Sequence, residues 1–131
     1  MPHKILGLIG AFVTISLVYM TAGFVFFNGS EIFGPSSTGP LVLPVVGFAI
    51  SNALYVLFYA WVVNQMSSPL KAALTVAISQ LLLVNVDYVL SGDRTVAGGV
   101  ASGIVLLVGW TLVGVVYQAV ANWGEPRTAD A

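Results

Sequence analysis

The sequence predicts an all-α integral membrane protein: a four-helix transmembrane bundle, mainly up-down and antiparallel. Two observations lead there. Four long apolar runs fill most of the 131 residues, and the chain has only four Lys or Arg and five Asp or Glu. Charged residues make up 7% of the chain, against about 25% in an ordinary soluble domain. So small a soluble domain could neither bury such runs nor keep its surface wet with so few charges, so lipid is the natural solvent.

The runs are 5–27, 41–63, 70–90 and 96–121. Each holds about 20 residues or more, enough to cross roughly 30 Å of hydrocarbon at about 1.5 Å per residue. None alternates with period two, and a β-barrel needs more strands than this length supplies, so the spans are read as helices. Asn28-Gly29-Ser30 stops the first. The Pro-, Gly- and Ser-rich stretch within 28–40 is the one long connector. Pro44 stands early in the second run, where a missing N–H is tolerated. Ser67-Ser68-Pro69 reads as an N-cap followed by proline in the first helical turn. Ser91-Gly92-Asp93 breaks the third helix, and Asp93 or Thr95 is placed to cap the fourth. Short connectors make helices two to four antiparallel neighbours. The whole chain, 1–131, reads as one transmembrane domain.

Orientation follows from Lys and Arg. Lys4, Lys71 and Arg127 fall on one side and Arg94 on the other. That places both termini in the cytoplasm and the 28–40 loop outside. Trp61 and Trp123 near one face, with Phe26, Phe27 and Tyr88 near the other, fit interfacial aromatic belts. A competing reading takes Met1 to Lys4 as a positive n-region and Thr21-Ala22-Gly23 as a cleavage site, which would leave three spans. The apolar run continues past that site through Phe27, which favours a span. Asn28-Gly29-Ser30 also matches the N-glycosylation pattern, a weak signal so close to the membrane.

Composition narrows the chemistry. There is no cysteine, and the only histidine is His3. Thiolate and imidazole metal sites are therefore not expected, and neither is a cofactor. A net charge of −1 provides no electrostatic footprint for nucleic acid. No nucleophile–base pair or phosphate loop can be assembled, so enzymatic function is not expected.

The polar groups within the runs are the candidate functional residues. Asp87 is the only acid inside an apolar run, and a mid-bilayer carboxylate costs about 2.5–3.5 kcal/mol. It lies four residues before Ser91, so it is an interfacial group that is wetted or paired with Arg94, an outward-facing proton or cation site, or a buried structural hydrogen bond. At 100° per residue, Thr75, Ser79, Gln80 and Asp87 share one arc of the third helix with Ala72 and Ala73, and Asn85 falls opposite. In the second helix Asn52, Tyr55 and Tyr59 form a stripe. Asn52 and Gln80, each about halfway along its run, are predicted hydrogen-bond partners. They serve either as interhelical glue or as the lining of a substrate cavity. The fourth helix carries Gly99 and Gly103 as a GxxxG, flanked by Gly98/Ser102 and Ala97/Ala101. Small residues at this spacing let backbones approach, within one bundle or between copies. Trp110, Gly114 and Tyr117 share a face further along. Gly7/Ala11 and Thr14/Thr21 are similar contact sites in the first helix.

In size and helix number the chain resembles the small multidrug exporters, whose first helix carries an embedded glutamate; this first helix has no acid. Fluoride channels share the size, but their Gly- and Thr-rich pore signatures are not seen. Membrane haem or quinol anchors need histidines within helices, and a rhodopsin needs a mid-helix lysine; neither is here. Two classes remain. One is a structural or accessory subunit, or a self-associating bundle, whose partners are the bilayer and either its own copies or a larger membrane complex. The other is a small oligomeric transporter or channel using Asp87 with Gln80 and Asn52.

Overall fold

The computed structural model describes residues 2–26 and 43–123. The 28–40 loop, the Asn28 sequon, Phe27 and the tail with Arg127 lie outside them. The described chain forms four helices: α1 (Pro2–Phe26), α2 (Pro44–Met66), α3 (Pro69–Leu90) and α4 (Val96–Ala121). All four are long and apolar enough to cross a membrane, and the protein is a small multi-pass membrane protein. The predicted second span moves three residues toward the C-terminus, because Pro44 opens the helix in its first turn instead of interrupting it.

The helix ends show why the chain folds in this order. Ser67 closes α2 in the left-handed region, with φ 54°, and its N–H donates to Val63 O at 2.9 Å. Ser68 is the N-cap residue of α3 but makes no side-chain cap bond, so Pro69, with its pre-set φ, starts the helix. Gly92, at φ +84°, turns the chain between α3 and α4. Thr95, not Asp93, caps α4: its hydroxyl accepts from Gly98 N–H at 3.1 Å.

Each helix packs on its chain neighbour, and α4 closes the ring against α1. Gly7 of α1 faces the Tyr117 ring, Gly10 faces Val116, and Gly109 of α4 faces Val18. The N-terminal end of α1 thus lies beside the C-terminal end of α4. We call this the proximal end; the distal end holds the turn between α3 and α4. Buried apolar side chains gather toward the proximal half: Ala11 and Ile15 of α1, Val56, Tyr59 and Val62 of α2, Ala72, Ala73, Val76 and Ala77 of α3, and Trp110, Val113 and Tyr117 of α4. In α2 none of residues 45–51 is buried. The outer faces stay apolar, as lipid requires, with Leu6, Ile9, Leu54, Leu57, Leu83 and Ile104 among the exposed side chains.

Small residues set the helix separations, since association in lipid rests on close packing rather than on the hydrophobic effect. Gly114 is the tightest case against backbone. A Cβ there would lie 3.0 Å from Ala73 Cβ, 3.1 Å from Leu70 Cα and 3.3 Å from Pro69 O. None of these is the far end of a flexible side chain that could swing aside. Gly114→Val should therefore push α3 from α4 and destabilise the bundle by about 1–3 kcal/mol, seen as a lower thermal midpoint in detergent. An unchanged midpoint would mean that the two helices can separate freely.

The third helix contains the feature that the sequence reading missed. Leu81–Asn85 form a π-helical turn, and Val86 N–H bonds back to Leu81 O, five residues earlier. One inserted residue rotates everything beyond it by about 100° relative to a continuous α-helix. The predicted arc is therefore broken. Ala72, Ala73 and Gln80 are buried as expected, but Asp87 is exposed and Asn85, expected on the opposite side, is buried. Thr75 is also exposed; its hydroxyl donates to Lys71 O at 2.9 Å within its own helix.

Candidate functional site

Two polar clusters occupy the bundle interior. The central one is built on Gln80. Its Oε1 accepts the Tyr19 hydroxyl of α1 at 3.2 Å and the Trp110 indole N–H of α4 at 3.2 Å. An indole nitrogen only donates, which fixes the orientation of the amide. The Gln80 Nε2 is buried and has no hydrogen-bond partner among the described residues. Asn52 is not the partner of Gln80. It turns toward α1 instead, and its Nδ2 donates to Ser16 Oγ at 3.1 Å. The predicted Asn52–Gln80 pair is not formed: α1 takes the Asn52 amide, and α1 and α4 both donate to Gln80.

The stripe on α2 is present as a stripe. Asn52 and Tyr59 are buried and Tyr55 is half-buried. Tyr55 meets Trp110 edge-on at 6.5 Å, and Tyr59 packs on Trp110 at 5.7 Å and edge-on to Tyr117 at 5.5 Å. Edge-to-face aromatic pairs are favourable by about 0.5–1.5 kcal/mol beyond their burial. The Tyr59 hydroxyl donates to Pro69 O at 3.1 Å, tying α2 to the first turn of α3. These rings fill the proximal half of the interior.

The second cluster lies at the distal end and follows from the π turn. Asn85 Nδ2 donates to Gly99 O at 2.7 Å. Its Oδ1 thereby faces Arg94, whose Nη1 donates to it at 2.6 Å and to Ser102 Oγ at 2.9 Å. The Arg94 guanidinium carbon lies 5.4 Å from the centre of the Tyr88 ring. Arg94 is half-buried. Among the described residues it forms no ion pair with Asp87. Asp87 stands exposed because the rotation that brings Asn85 in turns it out.

Gly99 and Gly103 serve this seam. A Cβ on Gly99 would lie 2.5 Å from Val89 Cγ2, and one on Gly103 would lie 3.3 Å from Leu81 Cδ1. Both glycines thus face α3 of the same chain. Gly98 is half-buried, and a Cβ on it would lie 3.2 Å from Arg94 Cγ. Beside the seam runs an open apolar groove of about 420 Å³ between α3 and α4, lined by Leu81, Val89, Val96, Val100 and Ile104 among others. A second groove, of about 370 Å³, lies between α1 and α4 and shares Ile104 with the first.

Of the residues that the sequence offers as a polar lining, Gln80, Asn52, Tyr55 and Tyr59 face the interior and Asp87 does not, while Asn85, expected on the opposite side, does. Ser16 and Tyr19 carry no signal in the sequence, and Arg94, one of the options for pairing Asp87, serves Asn85 and Ser102 instead. One signal was available: Asn85, Arg94 and Ser102 lie within a short helix–turn–helix, where any inward-facing pair must meet. Among the described residues no group of three or more His, Cys, Asp or Glu could hold a metal ion. Comparison with protein-family models, with curated proteins and with solved structures finds no match to this chain.

Proposed function

We propose that the protein is a structural or accessory helical bundle of a membrane, which assembles with its own copies or with a larger membrane complex. The observation that supports this reading best is that the buried amides of the spans are each engaged within the bundle: Gln80 Oε1 by Tyr19 and Trp110, Asn52 by Ser16, and Asn85 by the Gly99 carbonyl and by Arg94 of the adjoining turn. The interior between them is filled by aromatic rings, and the surface left for partners is apolar and grooved on both sides of Ile104. Such a surface suits contact with other helices. Purification in mild detergent tests it: the mass should be a multiple of the 13.7 kDa chain or include a second protein. A lone protomer, both in detergent and after crosslinking in membranes, would sink it.

A second reading, a small oligomeric transporter, draws on one observation: the unpartnered Gln80 Nε2 at the bundle centre. The two readings differ in what Asp87 does. Because Asp87 is exposed on α3, Asp87→Asn should leave assembly unchanged and proton-dependent flux in proteoliposomes at the empty-vesicle level, as in the parent. Flux in the parent that falls in Asp87→Asn or Gln80→Leu would favour transport.

A further inference from the structure

We propose that Arg94 is an anion-binding residue, and that the anion is the phosphate of an anionic phospholipid, whose headgroup has no cation of its own to neutralise it. The proposal is independent of the assembly reading above. A guanidinium carries five N–H donors. The two on Nη1 are taken by Asn85 Oδ1 and Ser102 Oγ. That leaves Nε–H and the Nη2 pair, and among the described residues nothing accepts from them. Nε–H and one Nη2–H point the same way and form the planar fork that matches two oxygens of a phosphate. The Tyr88 ring, 5.4 Å from the guanidinium carbon, offers a π face and no acceptor oxygen to the fork.

The surroundings hold this fork still. Asn85 cannot turn away, because its Nδ2 is held by Gly99 O at 2.7 Å. Asn85 itself reaches this position only through the π turn, and such turns are frequent at functional sites. Arg94 N–H donates to Tyr88 O at 2.9 Å, which fixes the backbone. A half-buried guanidinium with no carboxylate partner among the described residues is costly in a membrane unless an anion meets it. Its position supplies one. Arg94 stands at the distal end of the spans, two residues before α4 begins, which is headgroup depth for a helix that crosses the bilayer.

The test is native mass spectrometry of the full chain released from a neutral detergent containing equal amounts of phosphatidylglycerol and phosphatidylcholine. One phosphatidylglycerol should be retained with a preference of about fivefold or more, the scale of one cationic contact near a membrane surface. The preference should vanish in Arg94→Gln, weaken in Arg94→Lys, which keeps charge but lacks the fork, and persist in Lys71→Gln. Equal retention of the two lipids, or a preference that survives Arg94→Gln, overturns the proposal. So does millimolar inorganic phosphate displacing the lipid completely, which would identify a free anion as the occupant. A preference that appears only in Glu31→Gln would assign the site to that acid of the 27–42 segment, and would also overturn it. If Arg94→Gln does not fold, Arg94→Lys decides: a preference equal to that of the parent overturns the proposal.

Discussion

Truncating Trp110 to alanine should remove about 3–5 kcal/mol from the bundle, the largest loss we expect from any single change. The indole is fully buried, lies against Tyr55 and Tyr59, and donates to Gln80. Removing it empties the middle of the interior, where four helices meet. In lipid the packing contacts themselves hold helices together, so a void there forfeits them directly. It also leaves Gln80 Oε1 with Tyr19 alone. Trp110→Phe separates the two effects. It keeps most of the ring and loses the N–H, so it should cost about 0.6–2 kcal/mol, the range of one interhelical hydrogen bond. Reversible unfolding in mixed detergent micelles measures both. Equal midpoints for the parent and Trp110→Ala would show that the aromatic cluster does not hold the bundle.

Asn85→Leu should rank second, at about 3 kcal/mol, because it takes an acceptor from a charged donor. Gly99 O, within the α4 ladder, loses only its extra side-chain donor, whereas Arg94 Nη1 keeps only Ser102. The two side chains have the same number of heavy atoms, so no cavity opens and the loss reports polar pairing together with the fit of the bulkier leucine against Gly99 and Gly103. Replacing the whole set tests that interpretation. In Asn85→Leu combined with Arg94→Met no charge is left without its partner, and much of the stability should return, as it often does when a buried polar set is exchanged for apolar residues. A double variant as unstable as Asn85→Leu alone would place the cost in the shape of the π turn instead.

The fold was legible because it rests on run length and connector chemistry. The 96–121 run coincides with α4, Pro69 and Pro44 open helices in their first turns, and the Ser67–Ser68 link is too short for anything but an antiparallel hairpin. The stripe of Asn52, Tyr55 and Tyr59 was legible for a related reason: α2 is a regular helix, so 100° per residue holds along it. The candidate site was less legible, because α3 is not regular. Nothing in Leu81-Leu82-Leu83-Val84-Asn85 announces a π turn; there is no proline, glycine or charge to mark one. A single inserted residue then exchanged the places of Asn85 and Asp87. The Gln80 contacts were missed for a different reason. Spacing along one helix says which side chains share a face, but not which of three other helices will present Tyr19 or Trp110 to it.

The broad contact between α1 and α4 has a consequence for how the protein is made. The first span is synthesised well before its main partner exists, since all of the chain from Phe26 to Val96 must leave the ribosome in between. During that interval the notched face of α1 at Gly7 and Gly10 has no Tyr117 or Val116 to receive it. Insertion and closure are therefore separate events: the α2–α3 hairpin can form as soon as it enters the bilayer, while the ring shuts only when the fourth segment arrives. A ribosome stalled before Val96 would leave α1 tethered but unmatched, the stage at which membrane quality control has most to recognise.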